Sequence, residues 1–253
     1  MRALCYAQTN IGSGRDNNED NYYCNGTFKR DPAIPVAEAA AEQESRRLIY
    51  GVFDGMGGEA NGEQAALLCA QTLHQCSSDE PFDALDFFRR ANVAVCDMIA
   101  ASGQIGGSTA ATVHLTGNRA YCCNVGDSRI YDVTEAAITQ ISHDHSYVQH
   151  LVDMGQMSAD EARVSPVRNV ITRAVGIDDT VRPDIRSVDM SLPPDGRRWF
   201  LLCSDGLSGC VSEEIIHTVV SDGGTLREKA EGLVELANAA GGPDNITVLI
   251  VEL

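Results

Sequence analysis

The chain has 253 residues, and its 19 basic residues against 36 acidic residues give a formal net charge of −17 and a sequence pI near 4.6. A surface this acidic lacks the positive charge needed to bind nucleic acid or anionic membranes, so both kinds of partner are excluded. With 43% hydrophobic and 22% charged residues, the composition is that of a globular protein with a sizeable core, which excludes extensive disorder.

The first part of the chain predicts short strands. Residues 3–8 and 20–24 have strand patterns, and the polar stretch 10–18 between them is rich in Gly, Asn and Asp, which is typical of a turn. Residues 29–47 are polar, rich in Ala and Glu, and contain two prolines. This composition favours a surface insertion without a functional role, before an apolar strand at 48–53.

The next elements alternate between helix and strand. A glycine-dense turn at 55–58 precedes a predicted helix that begins at about residue 61, and a second helix is predicted over about 82–101. The stretch 108–140 changes to alternating apolar and polar residues, interrupted by Gly-Asn and Gly-Asp pairs. This pattern predicts an antiparallel meander.

A compact helical segment is predicted over 144–176. Asp144 is the expected N-cap of a first helix that ends at Gly155, and Ser158 with Glu161 has the spacing of a capping box.

The last part of the chain predicts an apolar strand at 199–203, helices at about 212–221 and 225–240, and a closing strand at 246–252. Strands adjacent in sequence look antiparallel, so the fold class is α+β with helices outside a layered sheet core.

The apolar runs and the cysteine spacing indicate the cellular compartment and the state of the thiols. No apolar run approaches the ~18 residues of a membrane-spanning helix, and residues 1–6 lead into polar sequence, so we expect a cytoplasmic protein. The nine cysteines are an odd number without a Cys-x-x-Cys pair. Free buried thiols in a reducing compartment are therefore favoured over a disulfide framework.

Acidic residues recur where predicted strands begin or end. Asp54 and Asp205 each follow an apolar strand and precede a glycine, and Asp244 lies just before the last strand. Three further acids lie in or beside predicted turns: Glu19, Asp20 and Asp127. If these positions converge, the like charges oppose one another unless a cation compensates them. Oxygen ligands select Mg²⁺, Mn²⁺ or Ca²⁺, and the missing His and Cys ligand spacing argues against zinc.

Arg15 precedes the pair Glu19 and Asp20 in a polar loop. Beside a metal cluster, a guanidinium is a bidentate phosphate ligand that is always charged. Simpler interpretations stay open at this point: a single Asp-Gly pair marks a β-turn, and Arg15 pairs with one of many surface acids.

Eight motifs occur in an order that is typical of one enzyme family. They are Arg15-Asp16-Asn17-Asn18-Glu19-Asp20, Asp54-Gly55-Met56-Gly57-Gly58, Gly107-Ser108-Thr109-Ala110, Asn124-Val125-Gly126-Asp127-Ser128-Arg129, His143-Asp144-His145-Ser146, Arg168-Asn169-Val170-Ile171-Thr172-Arg173-Ala174, Leu202-Cys203-Ser204-Asp205-Gly206-Leu207 and Gly242-Pro243-Asp244-Asn245-Ile246-Thr247. From about residue 5 to 252, the chain resembles the type 2C, metal-dependent protein serine/threonine phosphatases of the PPM family, specifically the bacterial branch.

The resemblance implies a four-layer αββα sandwich, in which two central antiparallel sheets are flanked by helix pairs. It implies one phosphatase catalytic domain over residues 1–253, with a helical flap at about 144–176 beside the active site. No appended sensor is expected, and we expect a monomer.

The resemblance also implies a catalytic metal centre. Asp54 would bridge two Mn²⁺ or Mg²⁺ ions, and the Gly55 carbonyl would add a ligand. Asp205 and Asp244 would hold one of the ions.

Further roles are implied for the residues around this centre. Glu19 would support the other ion directly or through water, and Asp20 would orient bound waters. Asp127, together with Asp205, would form the third metal site described for bacterial members. Arg15 would bind the phosphoryl group of the substrate.

The implied reaction is hydrolysis of phosphoserine and phosphothreonine in proteins by a metal-activated water, without a phosphoenzyme. Phosphorylated proteins, and a cognate Ser/Thr kinase that produces them, are the implied partners. Met56 stands where eukaryotic relatives have a histidine, which leaves the general acid unassigned, with a metal-bound water as the candidate. The resemblance places His143 and His145 at the entrance of the flap and not among the ligands.

Two alternatives have different chemistry. A catalytically silent regulatory or metal-binding module on the same fold would be expected to have lost some of the acids, yet all are present, with Arg15. A calcium-binding structural protein would be stabilised by Ca²⁺ and would have no phosphatase activity.

Overall fold

The computed structural model describes residues 1–57, 61–191 and 196–253, so Gly58 of the predicted glycine turn lies outside the described residues. The helices of these ranges are, in chain order, α1 (Asn61–Cys76), α2 (Ala84–Ser102), α3 (Tyr147–Asp153), α4 (Ala159–Val164), α5 (Asp205–Ser208), α6 (Glu213–Ser221) and α7 (Leu226–Ala239). The strands are β1 (Arg2–Asn10), β2 (Asn21–Cys24), β3 (Thr27–Phe28), β4 (Val36–Glu44), β5 (Arg47–Phe53), β6 (Gly55–Met56), β7 (Gly107–Ser108), β8 (Ala110–Thr116), β9 (Arg119–Val125), β10 (Arg129–Thr134), β11 (Ile138–Gln140), β12 (Asp184–Asp189), β13 (Arg198–Cys203) and β14 (Ile246–Glu252).

Two antiparallel sheets of six strands form the centre of the molecule. The first sheet has the order β11-β10-β13-β14-β1-β4, and the second has the order β12-β9-β8-β5-β2-β3. Strands β6 and β7 pair separately, Gly55 opposite Ser108. The predicted strands are therefore present. The predicted meander over 108–140 is wrong as a single unit: β8 pairs with β9 and β10 pairs with β11, but β9 and β10 lie in different sheets.

Three clusters of buried side chains separate four layers. Leu48 and Phe200 belong to the cluster between the two sheets. Phe87 lies in a second cluster between the second sheet and the helices α1 and α2, and Trp199 lies in a third between the first sheet and α6 and α7. Neighbouring residues of β13 thus point into different clusters, because both faces of this strand are covered. The predicted α+β fold, an αββα sandwich, is confirmed.

The expectation of a surface insertion over residues 29–47 is wrong. Strand β4 pairs with β1 along its whole length, from Arg2 opposite Glu44 to Asn10 opposite Val36. Ala39 packs in the core between the sheets, while the glutamates of β4 point outward. Alanine and glutamate are poor strand formers, so pairing and packing determine this strand and local preference does not. The edge strand β12 was also not predicted.

Helix caps in the segment 144–176 are only partly as predicted. The capping box of Ser158 and Glu161 is formed in both directions at the start of α4. Asp144 is not the cap of α3, because the Ser146 side chain accepts the hydrogen bond from the Gln149 amide. Asp144 instead makes a bidentate ion pair with Arg129 of β10, with a shortest distance of 2.7 Å. Burial explains the difference, since a buried carboxylate needs a charged partner.

The cysteines are mostly but not all free thiols. Seven are free, and Cys5 of β1 and Cys24 of β2 are joined as a disulfide between the two sheets, so the expectation of free thiols is wrong for this pair. None of the helices in the described ranges combines the length and hydropathy that crossing a bilayer requires.

Candidate active site

Strand ends of both sheets meet at one end of the sandwich. Asp54 follows β5 of the second sheet, whereas Asp205 follows β13 and Asp244 precedes β14, two neighbours in the first sheet. The Asp54 and Asp205 carboxyl groups lie within hydrogen-bond reach of each other. Thr109 holds the Asp54 backbone in both directions: its Oγ1 accepts from the Asp54 amide at 3.0 Å, and its amide donates to the Asp54 carbonyl at 2.8 Å.

Asp20 is almost fully buried between the two sheets, at 1% exposure. Its Oδ2 accepts from the hydroxyls of Ser204 and Thr247, each at 2.7 Å. Its Oδ1 is buried and has no hydrogen-bond partner in the described part of the chain. A buried carboxylate oxygen without a donor is costly, so this atom suits a position beside a cation or an ordered water.

Two glycines beside the acids allow separate backbone segments to pass in close contact. A Cβ on Gly55 would lie 2.1 Å from the Gly62 carbonyl oxygen and 2.6 Å from that of Glu19. A Cβ on Gly206 would lie 1.9 Å from the Asn245 carbonyl oxygen. The glycine after each of these aspartates is therefore required for close packing, beyond its use in a turn.

Arg15 and Glu19 lie on the loop that borders the cluster. Arg15 Nη2 is 2.7 Å from Asp244 Oδ2, and the Arg15 side chain is about half exposed. The Glu19 amide donates to Asn245 Oδ1 at 2.8 Å, and Asn245 Nδ2 donates to the Asn17 carbonyl at 2.8 Å. Asn245 therefore ties this loop to Asp244.

Sequence reasoning did not identify three supporting polar residues: Ser204, Asn245 and Thr247. Their signal was available, because each is a polar residue inside or beside an apolar strand, where it must find a partner.

Burial and crowding disfavour ionisation of four acids of the cluster in the metal-free chain. Burial, followed by the charges of Asp20, Asp205, Asp127 and Asp244, raises the pKa of Asp54 well above its usual value. Burial is also the largest cause that raises the pKa of Asp20 to about 7, of Asp205 to about 6 and of Asp127 to about 8. A charged cluster therefore needs compensation by cations.

The residues fit a site for divalent metal ions. The cluster combines mutually repelling carboxylates, an oxygen of Asp20 without a donor and only oxygen-bearing side chains among its acids. Such hard oxygen donors suit Mg²⁺ and Mn²⁺.

The raised pKa values predict an unusual pH dependence for the metal-free protein. A carboxyl group whose pKa is higher in the folded than in the unfolded state destabilises the fold once the pH exceeds its unfolded pKa near 3.8. The loss grows as the pH rises through the folded values of about 6 to 8. We therefore expect a lower Tm at pH 8 than at pH 5 in chelator, measured by scanning calorimetry, and a smaller decrease for Asp127→Asn. A metal-free Tm that rises from pH 5 to pH 8 would contradict this.

A cavity of about 440 Å³ opens beside the cluster. Arg15, Asp205 and Asp244 line one side, and Arg163 and Arg168 of the helical segment line the other. A substrate at the acids would therefore also contact residues of the segment 144–176.

The histidines and Met56 are engaged elsewhere. His143 Nε2 is 2.8 Å from Asp153 Oδ2, and His145 is buried against Gly126. Met56 lies in the β6–β7 pair opposite Gly107. Neither of these histidine contacts is to an acid of the cluster.

A second acidic group lies between the end of α1 and the first turn of α2, where Cys76, Asp79 and Asp86 present ligand atoms within 4.8 Å of one another. The Arg90 guanidinium already pairs with Asp86 at 2.5 Å and with Asp79 at 3.4 Å. This group is therefore compensated by the chain itself and needs no cation.

Comparison with known proteins gives a consistent result. The family model described as protein phosphatase 2C matches residues 6–246. The serine/threonine protein phosphatase PstP of Mycobacterium tuberculosis is 34% identical over 254 residues, which cover 98% of this chain and 44% of PstP. The chain thus spans less than half the length of that relative.

Protein phosphatase PhpP of Streptococcus pneumoniae is similar along nearly its whole length: it is 30% identical over 256 residues, which cover 97% of this chain and 95% of PhpP. Among solved structures, the catalytic domain of PstP in complex with two manganese ions superimposes with a TM-score of 0.79 and 32% identity, over 99% of this chain and 98% of that one.

Proposed function

The chain belongs to the protein phosphatase 2C family, and from that premise we propose that it hydrolyses phosphoserine and phosphothreonine in proteins, with Mn²⁺ or Mg²⁺ as cofactor. The observation that carries this proposal is the cluster of buried and half-buried carboxylates with a guanidinium at its rim. The proposed catalytic domain comprises residues 1–253, with 144–176 as its flap. Its substrates require prior phosphorylation, so a Ser/Thr kinase is the proposed partner.

The metal ions would be held by acids from both sheets. Asp54 is the best candidate for the bridging ligand, because it experiences the charges of four other aspartates. Asp205 and Asp244 would hold one ion, and the Gly55 carbonyl would add a ligand.

The remaining acids would complete the centre. Glu19 would support the second ion, and Asp127 with Asp205 would supply a third site. Asp20 is held by two hydroxyls and keeps one oxygen to orient water.

When bound, the cations supply the positive charge that makes water nucleophilic near neutral pH. The chain contributes the binding of the phosphate: the hydrogen bond to Asp244 involves one Nη of Arg15, and its other N–H donors are available to phosphoryl oxygens in the cavity. The proton for the leaving alkoxide would come from water, because the thioether side chain of Met56 carries no acidic proton.

No side chain is proposed as a nucleophile. Cys203, which lies one residue before Ser204, is fully buried, and burial raises the pKa of its thiol to about 12. A thiol in this state is unreactive. This supports direct attack by water without a phosphoenzyme. The alternative of a catalytically silent module has no observation in its favour.

The proposal is tested by phosphate release from three peptides that differ only in carrying phosphoserine, phosphothreonine or phosphotyrosine. We expect release from the first two with Mn²⁺ or Mg²⁺ and none in excess EDTA. Undiminished turnover in EDTA would contradict the proposal. Stabilisation by Ca²⁺ without turnover in any metal would favour the structural alternative.

Arg15 provides a sharper test of the phosphate site. We expect Arg15→Ala to lower kcat/KM for p-nitrophenyl phosphate by about 10²-fold, the size of effect seen when one charge-stabilising donor is removed. Arg15→Lys should recover only part of this loss, because an ammonium group cannot donate in the bidentate geometry of guanidinium.

The matched control is Arg89→Ala. Arg89 is exposed on α2 and pairs with Asp86, so its loss should leave kcat/KM unchanged. Equal activity of Arg15→Ala and Arg89→Ala would remove Arg15 from the site.

A further inference from the structure

A buried histidine lies directly behind the turn that carries Asp127. The His145 side chain is 1% exposed. The Gly126 amide donates to His145 Nδ1 at 3.1 Å, and the His145 amide donates back to the Gly126 carbonyl at 3.0 Å. The two residues are therefore joined by a reciprocal pair of hydrogen bonds, and Asp127 is the next residue in the chain.

The contacts of the ring define its tautomer. Because Nδ1 accepts a hydrogen bond from an amide, it carries no proton, and Nε2 holds the proton of the neutral ring. Nε2 lies 3.5 Å from Asp184 Oδ2. Asp184, in the edge strand β12, is itself held by Arg173 Nη1 at 3.0 Å. Nε2 makes no hydrogen bond within the described part of the chain, so Asp184 acts on the ring only through its negative charge, which favours a proton on Nε2.

The backbone of His145 belongs to the base of the helical segment. Its carbonyl accepts from the Thr172 amide at 2.7 Å, and the Tyr147 amide donates to the Val170 carbonyl at 2.8 Å. These bonds close the two ends of the segment against each other. The His145 ring reaches from this closed base to the Gly126 turn.

The Gly126 turn, which carries Asp127, is tightly constrained by its surroundings. Gly126 adopts φ +97°, and a Cβ there would lie 2.6 Å from Thr109 Cγ2, so the backbone is confined. Burial and the charges of Asp205 and Asp144 act against ionised Asp127 at this position. The two hydrogen bonds to His145 add a directional constraint on the turn, which opposes a shift of the carboxylate away from the cluster.

We propose that His145 is a positioning residue, whose Nδ1 fixes the Gly126 turn and thereby the orientation of the Asp127 carboxylate within the cluster. The proposal rests on the proposed function, because it takes Asp127 to be one of the metal-binding acids. His145 itself does not touch the substrate or a metal ion. The hydrogen bond from the Gly126 amide sets the tautomer of the ring, and the nearby charge of Asp184 favours it.

The test uses three substitutions at one position. In His145→Asn, the side-chain oxygen can lie near the place of Nδ1 and accept from the Gly126 amide. In His145→Gln, the amide group lies one bond further out, and His145→Leu fills space without an acceptor. Mn²⁺ binding is measured by titration calorimetry, and kcat and KM are measured with p-nitrophenyl phosphate.

We expect His145→Asn to stay within about threefold of the unmodified chain, and His145→Gln and His145→Leu to lose about 10- to 100-fold in Mn²⁺ affinity or kcat, as is typical of residues that orient metal ligands. KM should change little, because the substrate is not contacted. Equal losses in the Asn and Gln variants, or no loss in any of the three, would overturn the proposal.

The matched control is His114→Asn, which makes the same change in β8, where His114 packs against Phe82 and Tyr121. It should leave Mn²⁺ binding unchanged.

The failure of the proposed function can be distinguished from the failure of this inference. If the unmodified chain binds Mn²⁺ but has no phosphatase activity, the proposed function fails, while calorimetry still tests the role of His145. If every variant unfolds, ¹⁵N NMR of the unmodified metal-free chain decides, since a proton on His145 Nδ1 would overturn the proposal.

Discussion

Replacing Asp54 by Asn is expected to lower kcat/KM for a phosphoserine peptide by at least about 10³-fold. A change at a residue that merely orients a metal ligand typically costs 10- to 100-fold, and Asp54 would hold the ions directly in the proposed centre, so its loss should cost more. The shape of the side chain is kept, so the loss would reflect the missing charge. The measurement is steady-state kinetics at saturating Mn²⁺.

The same substitution should have the opposite effect on the stability of the metal-free chain. The raised pKa of Asp54 shows that its charge is unfavourable in the fold, so a neutral isostere should raise the metal-free Tm. Lower activity together with higher stability distinguishes a site residue from a damaged fold. Asp97→Asn, an exposed position on α2, is the control and should change neither quantity. A fall in both activity and metal-free Tm for Asp54→Asn would contradict the assignment.

Removing the metal ions is expected to lower Tm by about 5–10 °C. A ligand present at 100 times its Kd stabilises the native state by about 2.7 kcal/mol, and 1 kcal/mol corresponds to roughly 2–4 °C for a chain of this size. The physical cause is the uncompensated repulsion among the buried acids at pH 8. The measurement is scanning calorimetry in Mn²⁺ and in EDTA.

Two comparisons support the interpretation of this shift. Asp54→Asn should show a smaller difference between Mn²⁺ and EDTA, because its cluster repels less and binds the ions more weakly. Asp97→Asn should show the full difference. Superimposable melting curves in Mn²⁺ and EDTA would mean that the acids do not form a cation site.

Local sequence patterns were sufficient to predict those strands and helices whose own residues are apolar enough to indicate burial. The five apolar residues at 199–203 of β13 predicted a buried strand, and the acids beside β5, β13 and β14 predicted a charged end of the sandwich. β4 was missed because its Ala and Glu residues have low strand preference, and its structure depends on pairing with β1. Such pairing joins distant parts of the chain and leaves no local signal.

The sequence predicted which acids converge at the candidate site, but it did not predict the residues that contact them. Asp144 had the spacing of a helix cap, yet it lies buried beside Arg129, a contact between residues 15 positions apart. The hydroxyls that hold Asp20 come from Ser204 and Thr247, 184 and 227 positions away. Similarly, the hydrogen bond from the Gly126 amide to His145 Nδ1 is visible only in the fold. The sequence around a histidine does not show which ring nitrogen accepts a hydrogen bond or which residue donates it.

The acids of the cluster come from opposite halves of the sandwich, with Asp20 and Asp54 on the second sheet and Asp205 and Asp244 on the first. In the proposed metal centre, neither sheet alone would supply all of the ligands. A folding intermediate in which only one sheet has formed would therefore be inactive, and activity should return during refolding only when the sheets dock. The return of enzyme activity would then time the last assembly step of the chain, and Mn²⁺ would slow unfolding by linking the two halves.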